Sequence, residues 1–286
     1  MKKILALILA LVMALTLVAC GGGDDVAPQN DVVEDEVSTP VEDSPESSYA
    51  SLGVALELTS EEYGIGFRKG SDLVNVVNGL IRDLNADGTL ANLATKYELN
   101  LAEVSDVADI EAEVADLDYV KGNGKLVIGI TDYAPMNFKA EDGTWTGFDT
   151  EFAEEICKRI GVAAEFVEIE WDNKFIALES KAIDCIWNGM TISEEVLNNT
   201  SCSMAYVKNA QVVVMAKDKI ANYADAESMA DLTFAVEAGS AGATAAADNG
   251  FNTVETTAQT DALLEVVSGS CDACIIDITM ANAMLK

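Results

Sequence analysis

The 286-residue chain contains no histidine. That absence removes the side chain that most often exchanges protons near neutral pH and the commonest protein ligand of transition metals. Triad hydrolysis and zinc chemistry lose their usual parts, and no metal or organic cofactor is expected. Positive charge is scarce too: 17 Lys and Arg stand against 49 Asp and Glu, a net charge of −32. Such a field repels phosphate backbones and excludes nucleic acid as a partner. Proline occurs four times, and three of the four lie in residues 24–48, which also hold nine acidic residues and no Lys or Arg. A segment of that composition cannot bury enough apolar surface to fold, and its like charges extend it. It is expected to be a disordered tether over residues 20–48.

Against these shortages, half of the residues are apolar, enough for a sizeable core in one or two domains. The one long hydrophobic run, ILALILALVMALTLVA, follows Lys2 and Lys3 and ends at Cys20. Its short basic start and apolar stretch mark residues 1–19 as an export signal rather than a spanning helix of the mature protein. LVAC resembles the bacterial lipobox, in which Cys20 would become the lipidated N-terminus. The plainer alternative is an ordinary signal peptide with an incidental cysteine. Five cysteines remain, Cys157, Cys185, Cys202, Cys271 and Cys274, and an odd number leaves at least one thiol free unless chains pair. Cys271 and Cys274 form a C-x-x-C, but it lies in a turn leading into a strand pattern, whereas a redox pair normally opens a helix.

From Lys125 onward short apolar runs alternate with helical patterns: KLVIGI, FDTEFAEEICKRIG, AAEFVEI, DNKFIALES and IDCIWN, then QVVVMA, LTFAVEAG, DALLEVVSG and ACIID. Two series of this kind predict α/β units in two lobes. Ligands in open α/β sheets sit beyond the carboxyl ends of strands. Tyr133, Trp171, Thr191 and Asp277 fall at such ends, and Gly239 and Ser240 precede a helix starting near Ala241. Each also has an ordinary structural use: core aromatics for Tyr133 and Trp171, helix N-caps for Asp277 and Thr191, a turn glycine for Gly239.

In order, GKLVIGITDYAPMNF, GTWTGFDTEFAEEICKRIG, ALESKAIDCIWNGMTIS, QVVVMAKD, FAVEAGSAG and SGSCDACIID resemble the opening three quarters of the extracellular solute-binding proteins of amino-acid ABC importers. The stretch EEYGIGFRKGSDLVNVVNGLIRDLNADGTLANLATKYEL, residues 61–99, resembles that family's closing part, yet it precedes the rest. The resemblance therefore implies a circularly permuted, two-lobed periplasmic-binding-protein fold of type II. Lobe 1 would be residues 62–205, and lobe 2 residues 49–58 with 211–286. Residues 100–122, with Leu101, Val104, Val107, Ile110, Val114 and Leu117 three or four apart, are expected to form an amphipathic joining helix on lobe 1. The alternative is a remnant of a second copy ahead of a truncated domain.

The same resemblance implies a monomeric, lipid-anchored receptor outside the cytoplasmic membrane that passes an amino acid or similar small polar amine to a membrane permease. Tyr133 and Trp171 would sandwich the ligand, Asp277 would pair with its ammonium, and Gly239, Ser240 and Thr191 would offer donors to its carboxylate. The family arginine that forks onto that carboxylate is missing: Val196 stands at its position. Asn188 or Asn209 would have to substitute, or the ligand is a cationic amine without a carboxylate. An enzyme resembling cyclohexadienyl dehydratase is the reading from another class, with Glu237 and Asp277 as its cleft acids.

Overall fold

A computed structural model describes residues 49–105 and 107–286. The expected export segment, Cys20 and the expected acidic tether lie outside the described residues. Two sheets organise the rest. The first contains β2 (Glu61–Phe67), β3 (Lys125–Ile130), β6 (Ala163–Glu168), β7 (Cys185–Thr191) and β8 (Ser201–Cys202), in the order β6-β3-β7-β2-β8, with β9 (Val207–Asn209) also paired to β2. The second is β1 (Leu52–Glu57), β10 (Gln211–Ala216), β13 (Ala273–Asp277), β11 (Thr233–Glu237) and β12 (Asn252–Thr256), in the order β1-β10-β13-β11-β12. A hairpin of β4 (Phe138–Lys139) and β5 (Trp145–Thr146) stands apart. This is the expected α/β architecture in two lobes.

Parallel pairs β3/β6, β3/β7, β11/β12 and β11/β13 make up one side of each sheet, out to the edge strands β6 and β12. The strands next to the lobe junction run against them: β2 is antiparallel to β7, and β10 is antiparallel to β13 and β1. β1 and β2, separated only by residues 58–60, thus belong to different sheets. The run QVVVMA of β10 is buried on both faces. Val212 and Val214 join the main core, while Val213 and Met215 join a second core with Phe234, Val236 and Ile275. A strand whose alternate side chains enter two cores reads as a continuous apolar run.

Helices α1 (Leu73–Ala86) and α2 (Thr89–Lys96) share one core with the side chains of β2 and β3. In α1 the buried residues Leu73, Val74, Val77, Ile81 and Leu84 keep helical spacing along one face. Arg68, between β2 and α1, is 8% exposed and pairs with Asp116 and Asp184, each at 3.0 Å. Removing one partner from such a buried group typically costs about 3–5 kcal/mol, so residues 61–99 are wired into this lobe.

The joining segment departs from expectation. Helix α3 covers only Asp116–Asn123, and residues 100–105 and 107–115 run without helix. Glu103, Asp109, Glu111 and Glu113 share that stretch with no basic residue, and like charges three and four apart oppose a helix. Its backbone instead finds partners on lobe 1: Glu113 and Val114 donate to the Gly70 carbonyl, Asp72 donates to Val114, and the Asn75 carboxamide brackets both backbone groups of Ile110. Val107 and Ile110 are more than one-third exposed.

Candidate functional site

Between the lobes lies a cleft of about 280 Å³ lined by, among others, Tyr133, Trp171, Asn188, Thr191, Gly239, Ser240 and Asp277. All seven sequence-predicted ligand residues thus meet at one cavity. Its volume is near the lower bound of about 300 Å³ typical of small-molecule sites, which suits a ligand of amino-acid size.

The geometry follows from strand ends. Asp277 closes β13, Thr191 closes β7 and Glu237 closes β11, while Tyr133 and Trp171 stand three residues beyond β3 and β6. Trp171 opens a 3-10 turn and is 8% exposed, sharing an apolar cluster with Val196, Met190 and Ile186. It is therefore core on one side and wall on the other. Tyr133 is 3% exposed, and its hydroxyl meets those of Tyr63 and Thr279, each at 2.5 Å. Gly189 makes room for this ring: at φ +55° a Cβ there would meet Tyr133 Cε1 at 2.6 Å.

Asp277 is hydrogen-bonded through both carboxylate oxygens. Oδ1 accepts from Gln211 Nε2 at 2.7 Å and from Asn209 Nδ2, and Oδ2 accepts from Gln259 Nε2 at 2.5 Å. As α9 (Ile278–Met284) begins after it, Asp277 occupies the N-cap position but makes no side-chain cap bond. Two carboxylate oxygens offer about four acceptor positions, so a place remains on Oδ2. Glu61, at the start of β2, accepts from Thr59 on one oxygen and from Thr191, Asn209 and Gln211 on the other. Asn209 and Gln211 therefore bridge the two acids at the cleft floor. Burial pushes the Asp277 carboxyl up to about 6, and Glu61 nearby adds to the rise against the Gln259 bond. Burial also raises Glu237, to about 8, helped by the charge of Asp277.

Ser240 caps helix α7 (Ala241–Asp248), its hydroxyl accepting from Ala243 N at 3.1 Å. Thr191 is a strand end, not a cap; Ser193 caps the short helix Glu194–Asn199. Asn188 is brought to the cavity wall, but its amide donates to Thr131 O and Asn137 Oδ1 and its oxygen accepts from Thr131. Asn209 is likewise committed to the two acids. Neither has a free donor to take over the work of an arginine at position 196, and Val196 itself is 3% exposed in an apolar cluster.

The sequence reading overlooked several lining groups: Glu61, Lys174, Glu195, Asp248 and Gln259. With Glu237 and Asp277 the lining holds five carboxylates, Glu61, Glu195, Glu237, Asp248 and Asp277, against the single ammonium of Lys174. Among the described residues no group of acids and thiols is arranged to hold a metal. The five cysteines from Cys157 to Cys274 are free thiols, and burial pushes Cys157 and Cys202 up to about 12.

Comparison with known proteins agrees with this geometry. The model of the bacterial extracellular solute-binding proteins, family 3, matches residues 126–280. The L-cystine-binding protein TcyJ of Escherichia coli (strain K12) is 36% identical over 111 residues, 37% of this chain and 42% of that protein. The chain thus spans less than half the length of that relative. Among solved structures, the arginine-bound form of truncated ArgBP from T. maritima matches with a TM-score of 0.56 at 34% identity, covering 58% of this chain and 79% of that one. The ancestral amino acid-binding protein AncCDT-1, a precursor of cyclohexadienyl dehydratase, matches with a TM-score of 0.55 at 31% identity, covering 57% and 74%.

Proposed function

The chain belongs to the bacterial extracellular solute-binding proteins of family 3, and from that premise we propose that its cleft takes up a small amino acid bearing a cationic group and delivers it to the permease of an ABC importer. The carrying observation is the acidity of the lining: five acidic side chains against one ammonium in a cavity of about 280 Å³. A cation entering it gains Coulomb energy in a low-dielectric space, and the aromatic faces of Tyr133 and Trp171 suit the same cargo. Asp277 would receive the ligand ammonium at its remaining acceptor position. Thr191, Gly239 and Ser240 would contact the rest of the backbone-like part of the ligand, with Asn188 fixing the wall behind it. The arginine held by ArgBP fits this charge pattern.

Attachment by a lipid on Cys20, with the acidic tether carrying a monomeric receptor away from the membrane, belongs to the same proposal. So does the permuted order of the pieces, supported by β1 lying beside β10 while β2 lies beside β7.

A second reading is a cationic amine with no carboxylate, favoured by Val196 and by the excess of acid. Catalysis in the manner of a dehydratase is less well supported: Asp277 is spread over three amide donors, and fold alone does not decide function. Native mass spectrometry of freshly purified protein, together with a thermal-shift panel of amino acids, polyamines and cyclohexadienyl acids, tests the proposal. A ligand bound only by the folded form raises the melting temperature. Stabilisation by basic amino acids is expected; turnover of a cyclohexadienyl acid would overturn it.

A further inference from the structure

Lys174 is the one cationic side chain in the cleft lining. It opens helix α5 (Lys174–Glu179), three residues after Trp171, and is 4% exposed. Its ammonium donates to Gly239 O at 2.9 Å and more weakly to Trp171 O at 3.4 Å, and it lies 5.1 Å from the centre of the Trp171 ring. Among the described residues it joins no ion pair. It also faces the ring of Phe175, and Glu195, Asp172 and Glu237 lie near enough to favour its charge without bonding it, so this buried ammonium lacks the directly paired carboxylate that such groups ordinarily have.

Its surroundings point to the partner. Across the cleft Gly239 and Ser240 lead into the eight-residue helix α7, whose first N–H groups have no acceptor within the helix. The cap of Ser240 satisfies Ala243, and Ala241 lines the cavity. Lys174 and the positive end of a helix dipole therefore meet at Gly239, while Asp277 and Glu61 share Asn209 and Gln211 as a separate acidic cluster, with Glu237 in electrostatic reach of both. That division of charge matches a zwitterion better than a simple amine.

We propose that Lys174 is the residue that selects for a carboxylate on the cargo: its ammonium, with the N-terminus of α7 at Ala241, binds that carboxylate while keeping its hold on Gly239 across the cleft. This rests on the reading of the cleft as a site for a small cationic amine and adds the group that decides between amino acid and amine. It also accounts for Val196, since the cation that the missing arginine would supply enters from α5 instead.

The test uses ligand pairs differing only by the carboxylate, L-arginine with agmatine and L-lysine with cadaverine. Each is titrated calorimetrically into wild type, Lys174→Met and Lys174→Gln at one salt concentration. Wild type is expected to prefer the amino acid of a pair by about tenfold or more, and the preference is expected to fall to about threefold or less in both variants. Variants that keep the wild-type preference would overturn the proposal. So would a wild-type ratio near one, which needs no variant and decides the matter should a neutral substitution fail to fold. Wild type that binds neither member of either pair, nor any other basic amino acid, would instead count against the cationic cargo itself.

Discussion

Glu237 and Asp277 end neighbouring strands at the same edge of one sheet, and both hold their protons to higher pH than carboxyls in water, about 8 and about 6. Both values are raised above the ordinary ones of 4.5 and 3.8, as is that of the buried Asp149, to about 7. The folded, empty protein thus binds more protons than the unfolded chain, so the share of stability these groups carry is full below about pH 4 and is lost as pH rises through 6 to 8. Ligand affinity runs the other way. A bound ammonium favours the ionised carboxyl, so binding at pH 7 should expel about one proton, mostly from Glu237, and affinity should fall by up to about tenfold per unit as pH drops below 8. Calorimetry at pH 7 in buffers of different ionisation enthalpy measures that proton; heats independent of buffer would show that no cation approaches these acids. At this scale the strand-end rule found Tyr133, Trp171, Thr191 and Asp277 because they follow strands running toward the cleft. It missed Glu61 and Gln211 because β2 and β10 run the opposite way, and their first residues, not their last, reach the same edge.

At the scale of elements, the turn between β11 and α7 is where one lobe approaches Asp172 of the other, and any closing of the cleft on a ligand must keep that approach. Gly239 has φ +68°, and a Cβ there would meet Asp172 Cα at 2.9 Å and Asp172 Oδ1 at 2.8 Å. The first of these belongs to the backbone of the opposite lobe and cannot swing aside. Gly239→Ala would therefore do two separable things. The left-handed conformation costs about 1–2 kcal/mol whether the cleft is open or closed, while the methyl wedge penalises only the closed form. Ligand affinity is expected to fall by about tenfold or more, with the empty protein's melting temperature lower by only about 2–8 °C. Scattering in the presence of saturating ligand would report whether the lobes still approach; an unchanged affinity would mean that Gly239 and Asp172 are not in contact in the bound state. The joining segment illustrates the opposite limit on reading elements. Its apolar spacing suggested a helix, but the acidic residues between those positions and the acceptor offered by Gly70 favour an extended path. Periodicity registers which side chains face a surface and says less about the backbone that presents them.

At the scale of the whole molecule, chain order is separable from contact. The matches to solved relatives cover 57–58% of this chain but 74–79% of the relatives, as expected if their remaining quarter has its counterpart in residues 49–99. Those residues supply β1 to one sheet and β2, α1 and α2 to the other lobe. Contacts set stability, whereas the order of connection mainly sets loop-closure entropy, which changes by only about 0.6 kcal/mol for each doubling of a loop. A chain running from 100 to 286, then through a Gly/Ser linker of about twelve residues reaching about 20 Å, then from 49 to 99, keeps the Arg68 pairs with Asp116 and Asp184 and every strand pairing. It should melt cooperatively within a few degrees of a 49–286 control and bind the same ligand with affinity within about threefold. Residues 100–286 alone should not, because β7 would lose its neighbour β2 and Asp116 and Asp184 would be left buried without their arginine. A cooperative, ligand-binding 100–286 fragment would show that residues 49–99 are an appendage instead of the displaced end of the fold.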